Sequence, residues 1–368
     1  PTVSTALDIT EYPVDGYFES DAFVATNEEH FGSVWEVRKV SDDSVQHSSY
    51  NSFEDKLDWS VSFNERDSQQ EYYIVLKHLG RYGESDWSEP LSFTMQEIIN
   101  VSVYISSVDQ TVRRLNNDGR AMWINEDHTA RTNGVAVDDL RNAYSVGNDF
   151  VLRKVNEFGV EQWTYTHATN ILCVAVDTNY DVVIGTDDNL VIKFDSSGNE
   201  LWQYDGHTNN VNSVVVDNEF YVYSASTDNT VHKINKDGEM EWTFTGHTGS
   251  VNSVDVDING NVYTASSDGT VRKISSNRFQ IWSFTGHTGI VNSVSVNTNF
   301  NVFSGGVDST LRRIDENGSE VWSYNAGFAV TSVDSDYLNR SYIGTTNDTV
   351  SMINDAGSEV WVYTDNTG

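Results

Sequence analysis

Apolar and polar residues alternate in short runs over most of the chain. Between Val251 and Thr285 four such runs follow one another, around Val254, Val262, Val271 and Trp282. Each run has the length of a strand, and the spacing of three to four residues that is typical of a helix is absent from them. The pattern predicts an all-β protein that places four antiparallel strands in each unit of about 40 residues.

The same unit is repeated seven times. Its marker is a tryptophan that returns every 39 or 40 residues, usually after a short glycine-containing turn, at Trp123, Trp163, Trp202, Trp242, Trp282, Trp322 and Trp361. Four strands cannot bury both faces of their sheet alone, so the units must cover one another by stacking. We therefore expect a seven-bladed β-propeller over residues 96–368.

Three of the units resemble WD-repeat propellers. The resemblance rests on the pairs Gly206-His207, Gly246-His247 and Gly286-His287, on the following strand Val-Asn-Ser-Val, and on the later turn that contains Asp268. In that family the histidine and the turn aspartate form a structural hydrogen-bond relay with a strand serine. The resemblance implies three pairs, His207 with Asp228, His247 with Asp268 and His287 with Asp308. The Trp-Asp dipeptide of the family is missing, because Lys273-Ile274 and its equivalents stand there.

The ending Gly-x-x-x-Trp, as in Gly238 to Trp242, instead resembles the quinoprotein-type (PQQ-like) repeat. That resemblance implies that each of the seven tryptophans wedges between neighbouring blades. A quinone cofactor would need a specialised set of residues that the sequence does not reveal, so no cofactor is expected.

The first unit is incomplete. When Val103 is aligned with Val262, the place of the innermost strand falls on Ser92 to Ile98, which is not written Val-Asn-Ser-Val. Either an atypical strand near residues 92–101 closes the ring, which we favour, or one blade is thinner.

Residues 1–95 lie outside the repeat and predict a β-sandwich. The strand-like runs are Gly32–Lys39, Leu57–Phe63 and Glu71–Lys77. The stretch Tyr72–Thr94 resembles the last two strands of a fibronectin type III domain. Domains of this kind recur in tail and fibre proteins of viruses and in microbial surface proteins.

The charge balance is strongly acidic, with 55 acidic and 22 basic residues and a formal net charge of −33. Such a chain is a poor partner for nucleic acid. Self-repulsion is relieved in concentrated salt, where screening reaches only about 3 Å at 1 M, so the composition favours a high-salt habitat. No run is long and apolar enough for membrane insertion, and no leader peptide is evident.

A search for catalytic chemistry finds no convincing constellation. His128 and His167 continue the histidine series at nearly the blade period, which fits the relay better than a symmetric metal site. The segment Asp255–Gly260 begins like a calcium loop, but Ser266 stands where a bidentate glutamate is needed. What remains is a general affinity of the surface carboxylates for divalent cations.

Lysine and arginine residues recur in the third strands. They either cover apolar surface or form a ring for an anionic ligand. Cys173, the single cysteine, lies in an apolar run and is expected in the core.

The loops between blades differ in sequence, although the residues around them repeat. This variation indicates either neutral drift or a face that recognises a partner. The candidate face residues are Asn209, Asn210, Ser250, Ile290, Phe150 and Phe328. We expect a non-enzymatic binding or structural protein.

The favoured role is a virion appendage (tail fibre, spike or capsid turret) that is homo-oligomeric, contacts other virion proteins and attaches to a host surface protein or glycan of a salt-loving microbe. One alternative is a cell-surface adhesion scaffold of a halophile, which would be extracellular. Another is a propeller hydrolase or quinone-dependent dehydrogenase, which convergent carboxylates in the central channel would favour.

Overall fold

The computed structural model describes residues 102–364 except 117–118, and five strands of the preceding segment, at 30–39, 45–51, 71–80, 83–84 and 91–94. The chain divides into two units, Pro1–Asn100 and Val101–Gly368. Among the described residues no helix is long and apolar enough to span a bilayer.

The described strands of the front unit form one antiparallel sheet in the order β2-β1-β3-β4, with β5 also paired to β3. Their bounds are β1 His30–Lys39, β2 Val45–Asn51, β3 Glu71–Gly80, β4 Gly83–Glu84 and β5 Leu91–Thr94. Strands β1 and β3 lie where the alternation predicts them. The strand predicted at Leu57–Phe63 lies outside the described residues, so the fibronectin type III-like sandwich stays a prediction.

The second unit is a seven-bladed β-propeller, as the repeat predicts. The first blade has three described strands, β6 Val103–Ser106, β7 Val112–Leu115 and β8 Ala121–Asn125. Each of the others is a four-stranded antiparallel sheet whose strands follow one another in sequence from the channel to the rim.

The second to fourth blades comprise β9 Thr132–Val137, β10 Ala143–Gly147, β11 Val151–Val155 and β12 Glu161–Thr166; β13 Ile171–Val176, β14 Val182–Thr186, β15 Val191–Phe194 and β16 Glu200–Tyr204; and β17 Val211–Val216, β18 Val222–Ser226, β19 Val231–Ile234 and β20 Met240–Phe244. The fifth to seventh comprise β21 Val251–Val256, β22 Val262–Ser266, β23 Val271–Ile274 and β24 Gln280–Phe284; β25 Val291–Val296, β26 Val302–Gly306, β27 Thr310–Ile314 and β28 Glu320–Asn325; and β29 Val330–Ser335, β30 Ser341–Thr345, β31 Thr349–Ile353 and β32 Glu359–Thr364.

The core lies between adjacent blades. In the cluster between the fourth and fifth blades, for example, buried Tyr223 and Val231 pack with Val251 and Val254. The second strand of a blade is the most buried, and all five residues of β18 and of β22 are inaccessible to solvent or nearly so. Because each blade covers the next, the sheets lend rigidity to the loops at both ends.

The tryptophans link consecutive blades at the rim. The indole of Trp123 lies against Gly159 in the next blade and its Nε1 donates to the carbonyl of Glu157 at 2.9 Å. The same bond to the next blade's turn is made by Trp163, Trp202, Trp242, Trp282 and Trp322. Trp361 packs against Gly119 of the first blade, which closes the circle.

The turn that lacks its glycine keeps the same backbone conformation. Arg278 has φ of +75°, and its glycine equivalents have values from +75° at Gly119 to +86° at Gly238. The carbonyl of Ser276 in that turn accepts the indole of Trp242 at 3.0 Å. The fold of the turn is thus set by its place under the tryptophan, and an arginine adopts a conformation that glycine would reach at lower cost.

We favour ring closure by an atypical strand near residues 92–101, but residues 92–94 of this segment lie in a sheet of the front unit. Leu91–Thr94 form β5 and pair with Glu71–Ile74 of the front unit. Residues 95–101 lie outside the described residues. The described part of the first blade has three strands, and both alternatives for ring closure stay predictions.

Candidate functional site

One face of the propeller is built from two kinds of loop that meet in every complete blade. The loop that enters the first strand of a blade lies beside the turn before its third strand. We call the face formed by these loops the relay face, because in four blades a histidine from the entering loop binds an aspartate of that turn and a hydroxyl of the second strand. The opposite face carries the turns at the other ends of the strands.

The relay geometry is the same in the fourth, fifth and sixth blades. His247 Nδ1 lies 2.9 Å from Asp268 Oδ2, and His247 Nε2 lies 2.7 Å from Thr264 Oγ1. The fourth and sixth blades have serine in place of this threonine, with His207, Asp228 and Ser224 and with His287, Asp308 and Ser304 in contact. The three pairs implied by the WD-repeat resemblance are therefore in direct contact.

A fourth relay lacks the Gly-His signature. His128 follows an aspartate, yet its ring bonds Asp149 at 2.8 Å and Ser145 at 2.8 Å. In the third blade Ile184 replaces the strand serine, and the ring of His167 bonds Asp188 at 3.2 Å and Tyr165. The blade period identifies the histidine position, but the presence of a strand hydroxyl decides whether the relay is complete.

In the fifth blade the relay holds both of its titratable groups in fixed charge states at neutral pH. Burial lowers the pKa of His247 and outweighs the opposing attraction of Asp268. Burial also opposes ionisation of Asp268, but hydrogen bonds from Thr270, His247 and the backbone of Thr248 lower the pKa of its carboxyl to about 2. A neutral histidine donating to an ionised aspartate is thus the resting state, and it ties two loops together.

All six predicted face residues lie on the relay face. Asn209, Asn210, Ser250 and Ile290 lie in entering loops of the fourth to sixth blades, Phe328 in that of the seventh, and Phe150 in the turn of the second. They differ in exposure, since Phe328, Ile290 and Phe150 are 48%, 40% and 39% exposed, whereas Ser250 is half-buried and lies 3.2 Å from Asn212.

Val307 belongs to this face but does not stand out in the sequence. It is 45% exposed, its backbone N–H donates to the carbonyl of Ile290, and its Cγ2 lies beside Gly289. Ile290 and Val307 are thus neighbours in the sixth blade, and the entering loop of the seventh blade adds exposed Phe328 to the same face. The sequence does carry a signal for Val307, because it is apolar at a turn position where the fourth and fifth blades have the polar residues Thr227 and Ser267.

The third-strand cations are structural. Lys193 is buried against Asp177 at 2.9 Å, Arg312 bonds Glu320, and Lys273 lies over the ring of Tyr263 at 5.1 Å. Their stems cover the blade surface and their charges are engaged inside the chain. The geometry therefore does not offer these side chains as a ring for an anionic ligand.

The opposite face has a network that sequence reasoning missed. Tyr263 is fully buried and donates to Asp257 at 3.0 Å, while the same carboxylate caps the turn by accepting the N–H groups of Asn259 and Asn261. The pair recurs with Tyr144, Tyr223 and Tyr342 on Asp138, Asp217 and Asp336. In the sixth blade phenylalanine and asparagine replace both partners, at Phe303 and Asn297. A fixed spacing of six residues would have revealed the pairs.

This network also accounts for the calcium-loop resemblance. Asp257 of the segment Asp255–Gly260 caps a β-turn, and Asp255 on the preceding strand accepts the N–H of Val296 at 2.7 Å. Within the described part of the chain no three acidic, histidine or cysteine side chains are grouped to hold a metal ion.

The inner strands are joined by a second set of side-chain bonds. Asn252 donates to the carbonyl of Val291 in the next blade at 2.8 Å, and Ser253 accepts the N–H of Val294 at 3.2 Å. Asn212 with Ser213 and Asn292 with Ser293 act in the same way. The Val-Asn-Ser-Val motif is therefore a clasp between blades. Cys173 replaces the serine in the third blade, and burial raises the pKa of its thiol to about 12.

Asp255 and Asp334 occupy equivalent inner-strand positions two blades apart. Desolvation raises the pKa of Asp255 to about 7, with Asp334 contributing by repulsion. Both carboxylates accept backbone N–H groups, of Val296 and Ser335 respectively. The enzyme alternative requires carboxylates in the channel. Asp255, however, bonds the next inner strand, as the clasp residues do, and Asp334 bonds the backbone of its own strand.

Comparison with known proteins agrees with this architecture. The family profile described as outer membrane protein assembly factor BamB, a PQQ-like repeat, matches residues 108–278, and that of the WD domain, G-beta repeat, matches residues 278–315. The propeller is of the WD40 and PQQ-like type. A comparison with curated proteins gives no match.

Solved structures with a similar fold include two that are described as a WD40 β-propeller domain and as WD40 repeats. The WD40 β-propeller domain of Doa1 is 20% identical, with a TM-score of 0.62, and the match covers 72% of this chain and 90% of that one. U3-55K is 20% identical, with a TM-score of 0.60, over 64% and 82% of the two chains. The WD40 repeats of RRP9 are 19% identical, with a TM-score of 0.61, over 71% and 86%. At this identity the likeness concerns the fold alone.

Proposed function

We propose that this chain is a non-enzymatic recognition protein whose propeller binds a protein partner through the relay face. The observation that carries the proposal is that three apolar side chains, Ile290, Val307 and Phe328, are exposed on loops of that face. Apolar side chains on a rigid scaffold are typical of the anchors of protein interfaces.

The relay supports this use because it fixes the loops before a partner arrives. In the sixth blade His287 holds Asp308 at 3.0 Å, and Asp308 also accepts the N–H of Thr288. Loops that are already ordered lose little conformational entropy on binding, which favours affinity. The side chains that project from them take no part in the relay and are free to suit a partner.

The narrower form of the proposal is a virion appendage that attaches to the surface of a salt-loving host. It rests on the sequence, through the net charge of −33 and the fibronectin type III-like front segment. The partners would be other virion proteins and a host surface protein or glycan, and the chain would be homo-oligomeric. A cell-surface adhesion scaffold uses the same face and is the alternative.

An enzyme of the propeller hydrolase or quinone-dependent class is the competing proposal. The inner-strand carboxylates Asp255 and Asp334 are the observation on its side, and desolvation raises the pKa of Asp255 to about 7. We favour recognition because both carboxylates are engaged by backbone N–H groups of the inner strands.

Site-specific photo-crosslinking tests the recognition proposal. A photoreactive residue replaces Phe328 or Ile290 on the relay face, or Ile258 or Leu140 on the opposite face, where exposure is 69% and 59%. Extract and surface fractions of the source organism and its associated cells serve as targets. We expect one discrete protein adduct from positions 328 and 290 and none from 258 and 140.

A competition experiment makes the result specific. The unlabelled chain should suppress the adduct, and the double variant I290S/F328S should fail to do so, while the matched variant L140S/I258S competes like the parent chain. Adducts of equal yield from both faces, or none from the relay face, would overturn the proposal.

A further inference from the structure

The relay of the fourth blade differs from the others by a second histidine. His232 on β19 stacks on His207 with ring centroids 3.8 Å apart and ring planes 10° apart, and both rings are buried. The fifth and sixth blades have arginine at this place, where Arg272 and Arg312 each donate through Nε to the threonine of the turn. In the fourth blade a ring that can titrate therefore replaces a side chain whose positive charge is permanent.

A second replacement accompanies the first. In the fifth and sixth blades the rings of Phe244 and Phe284 lie against the glycine that precedes the relay histidine. The fourth blade uses Tyr204, the last residue of β16 in the third blade, whose hydroxyl lies against Gly206 and 2.8 Å from Nδ1 of His232. The tyrosine hydroxyl thus connects the third blade, the entering loop and the third strand of the fourth blade.

The hydrogen bonds around His232 require its ring to be neutral. Burial opposes ionisation of Asp228, but hydrogen bonds from His207, Thr230 and a loop amide hold the pKa of its carboxyl well below the usual value. Thr230 donates its one hydroxyl proton to this carboxylate at 2.5 Å. Its oxygen therefore accepts Nε2–H of His232, at 3.1 Å. Nδ1 carries no proton and accepts the hydroxyl of Tyr204.

The other groups that face His232 do not supply a competing charge. Ser224 on β18 and Thr243 on β20 stand directly opposite it in the sheet, and neither titrates. The acidic groups nearby are Asp228 in the turn and Asp205 in the loop, which acts on the tyrosine. A proton taken up by the stacked histidines is therefore balanced only by the carboxylate that the relay already uses.

A proton on Nδ1 of His232 is incompatible with this arrangement. The hydroxyl of Tyr204 would have to turn its own proton away, and a charged ring would lie flat on His207. Burial, followed by repulsion from His207, lowers the pKa of His232 to about 4. Once the loop leaves the turn the ring reaches water, where a histidine pKa is about 6.5. Each fall in pH between these values therefore favours the released loop.

We propose that His207, His232 and Tyr204 form an acid-operated latch on residues 205–210, the entering loop of the fourth blade. At neutral pH the latch holds the two asparagines of this loop on the relay face. In weak acid the stacked pair takes up a proton, the loop leaves the turn, and a bound partner loses its contacts with this blade. The last step rests on the proposed function, whereas release of the loop does not.

Two matched amides report on the latch in the full chain. The N–H of Thr208 donates to Asp228 at 3.0 Å, and that of Thr248 donates to Asp268 at 3.1 Å in the fifth blade. Site-resolved hydrogen exchange, corrected for the intrinsic effect of pH, measures the opening of each loop. Between pH 7 and pH 4 the opening at Thr208 should increase about a hundredfold, and that at Thr248 less than about tenfold.

Exchanging two residues between the blades tests the cause. Y204F/H232R introduces the fifth-blade arrangement into the fourth blade and should reduce the acid response of Thr208 to that of Thr248. The reciprocal variant F244Y/R272H should give Thr248 the strong response. Exchange of the β22 amides at pH 7 verifies that each variant is folded. Equal responses of the two loops in the parent chain, or a strong response that persists in Y204F/H232R, would show that the stacked pair is not a latch.

The effect on binding is measured separately by photo-crosslinking to the same cell fractions. A photoreactive residue at position 209 reports on the latched loop, and one at position 328 reports on a loop without a relay histidine. The ratio of the two adduct yields should fall about tenfold or more from pH 7 to pH 4, and stay within about twofold in Y204F/H232R. A constant ratio while the loop opens would disprove acid release of the partner. Absence of both adducts at pH 7 counts against the proposed function and leaves the latch to the exchange result.

Discussion

Trp361 in the last strand of the propeller lies against Gly119 in a turn of the first blade. A β-carbon on Gly119 would stand 2.9 Å from Cε3 of the indole, and φ of the glycine is +75°. The same packing joins Trp123, Trp163, Trp202, Trp282 and Trp322 to a glycine in the turn of the blade that follows each of them. The contact of Trp361 joins the two ends of the propeller, so the circle is closed at the rim by packing.

Replacing Gly119 by alanine should weaken this closure. Gly327 provides the control, since its φ is also +75° but nothing would lie within 4 Å of a β-carbon added there. Both variants should lose about 1 kcal/mol through backbone strain, and G119A about 2 kcal/mol more because the indole must move. Denaturant unfolding followed by tryptophan fluorescence measures both. Equal losses would show that the Trp361 contact does not hold the ring.

The tyrosine–aspartate pairs predict a non-additive double substitution. Y263F removes the hydroxyl that Asp257 accepts at 3.0 Å and should cost about 1 to 2 kcal/mol, because a buried carboxylate loses a donor. Adding D257N recreates the Phe303 and Asn297 pair of the sixth blade. The double variant should therefore lose less stability than the two single variants summed, by at least about 0.5 kcal/mol. Additive losses in equilibrium unfolding would contradict this interpretation.

Acid should destabilise the fourth blade more than its neighbours. His232, at the place of Arg272 and Arg312, stacks on His207 with ring centroids 3.8 Å apart and bonds Tyr204 and Thr230. Burial, followed by repulsion from His207, lowers the pKa of His232 to about 4, against the attraction of Asp228. The unfolded chain, with a histidine pKa of about 6.5, then binds more protons than the folded one between these values.

Stability should consequently fall as the pH drops from about 6.5 to about 4, by up to about 3 kcal/mol from this residue. H232Q removes the titrating group, so the stability difference between parent and variant should change across that window and be flat above about pH 7. Aspartates of the relay contribute at lower pH, because their depressed pKa values make them lose stability only below about 3.8. A difference that is constant through the whole window would refute the assignment.

The acidic surface predicts a strong dependence on salt. With a formal net charge of −33, the folded chain repels itself when the ionic strength is low. Dialysis from molar salt to dilute buffer should lower the melting temperature markedly. An osmolyte control at constant low ionic strength separates screening from general stabilisation. An unchanged melting temperature would remove the halophile premise while leaving the propeller and its relay untouched.

The sequence predicts much of the site because its parts are local or periodic. Trp282 and His287 return at the blade period, and Asp308 is fixed by the turn that follows, so the relay could be named before its atoms were placed. The Asp257–Tyr263 pair was missed although its spacing is constant, because its function becomes evident only when the turn brings the carboxylate over the buried ring. His128 was less obvious, since its relay depends on Ser145 and not on a preceding glycine.

Other features could not be read from the chain. Ser92–Thr94 fit the register of an inner strand, yet they pair with Tyr73, Tyr72 and Glu71, because an edge in the front unit competes for the same backbone groups. The exposed residues Ile290, Val307 and Phe328 lie on loops of two blades, and alternation along one strand carries no information about neighbours in the next repeat.

By itself, the sequence determined the strands, the number of blades and the residues that bind one blade to the next, since each follows from a repeated local pattern of apolar, turn and hydrogen-bonding residues. Only the tertiary structure decided which apolar loops share a face, which charges are neutralised inside, and that Ser92–Thr94 pair with a strand of the front unit. These depend on contacts across blades, where the free energy comes from what the neighbouring sheet does or does not cover.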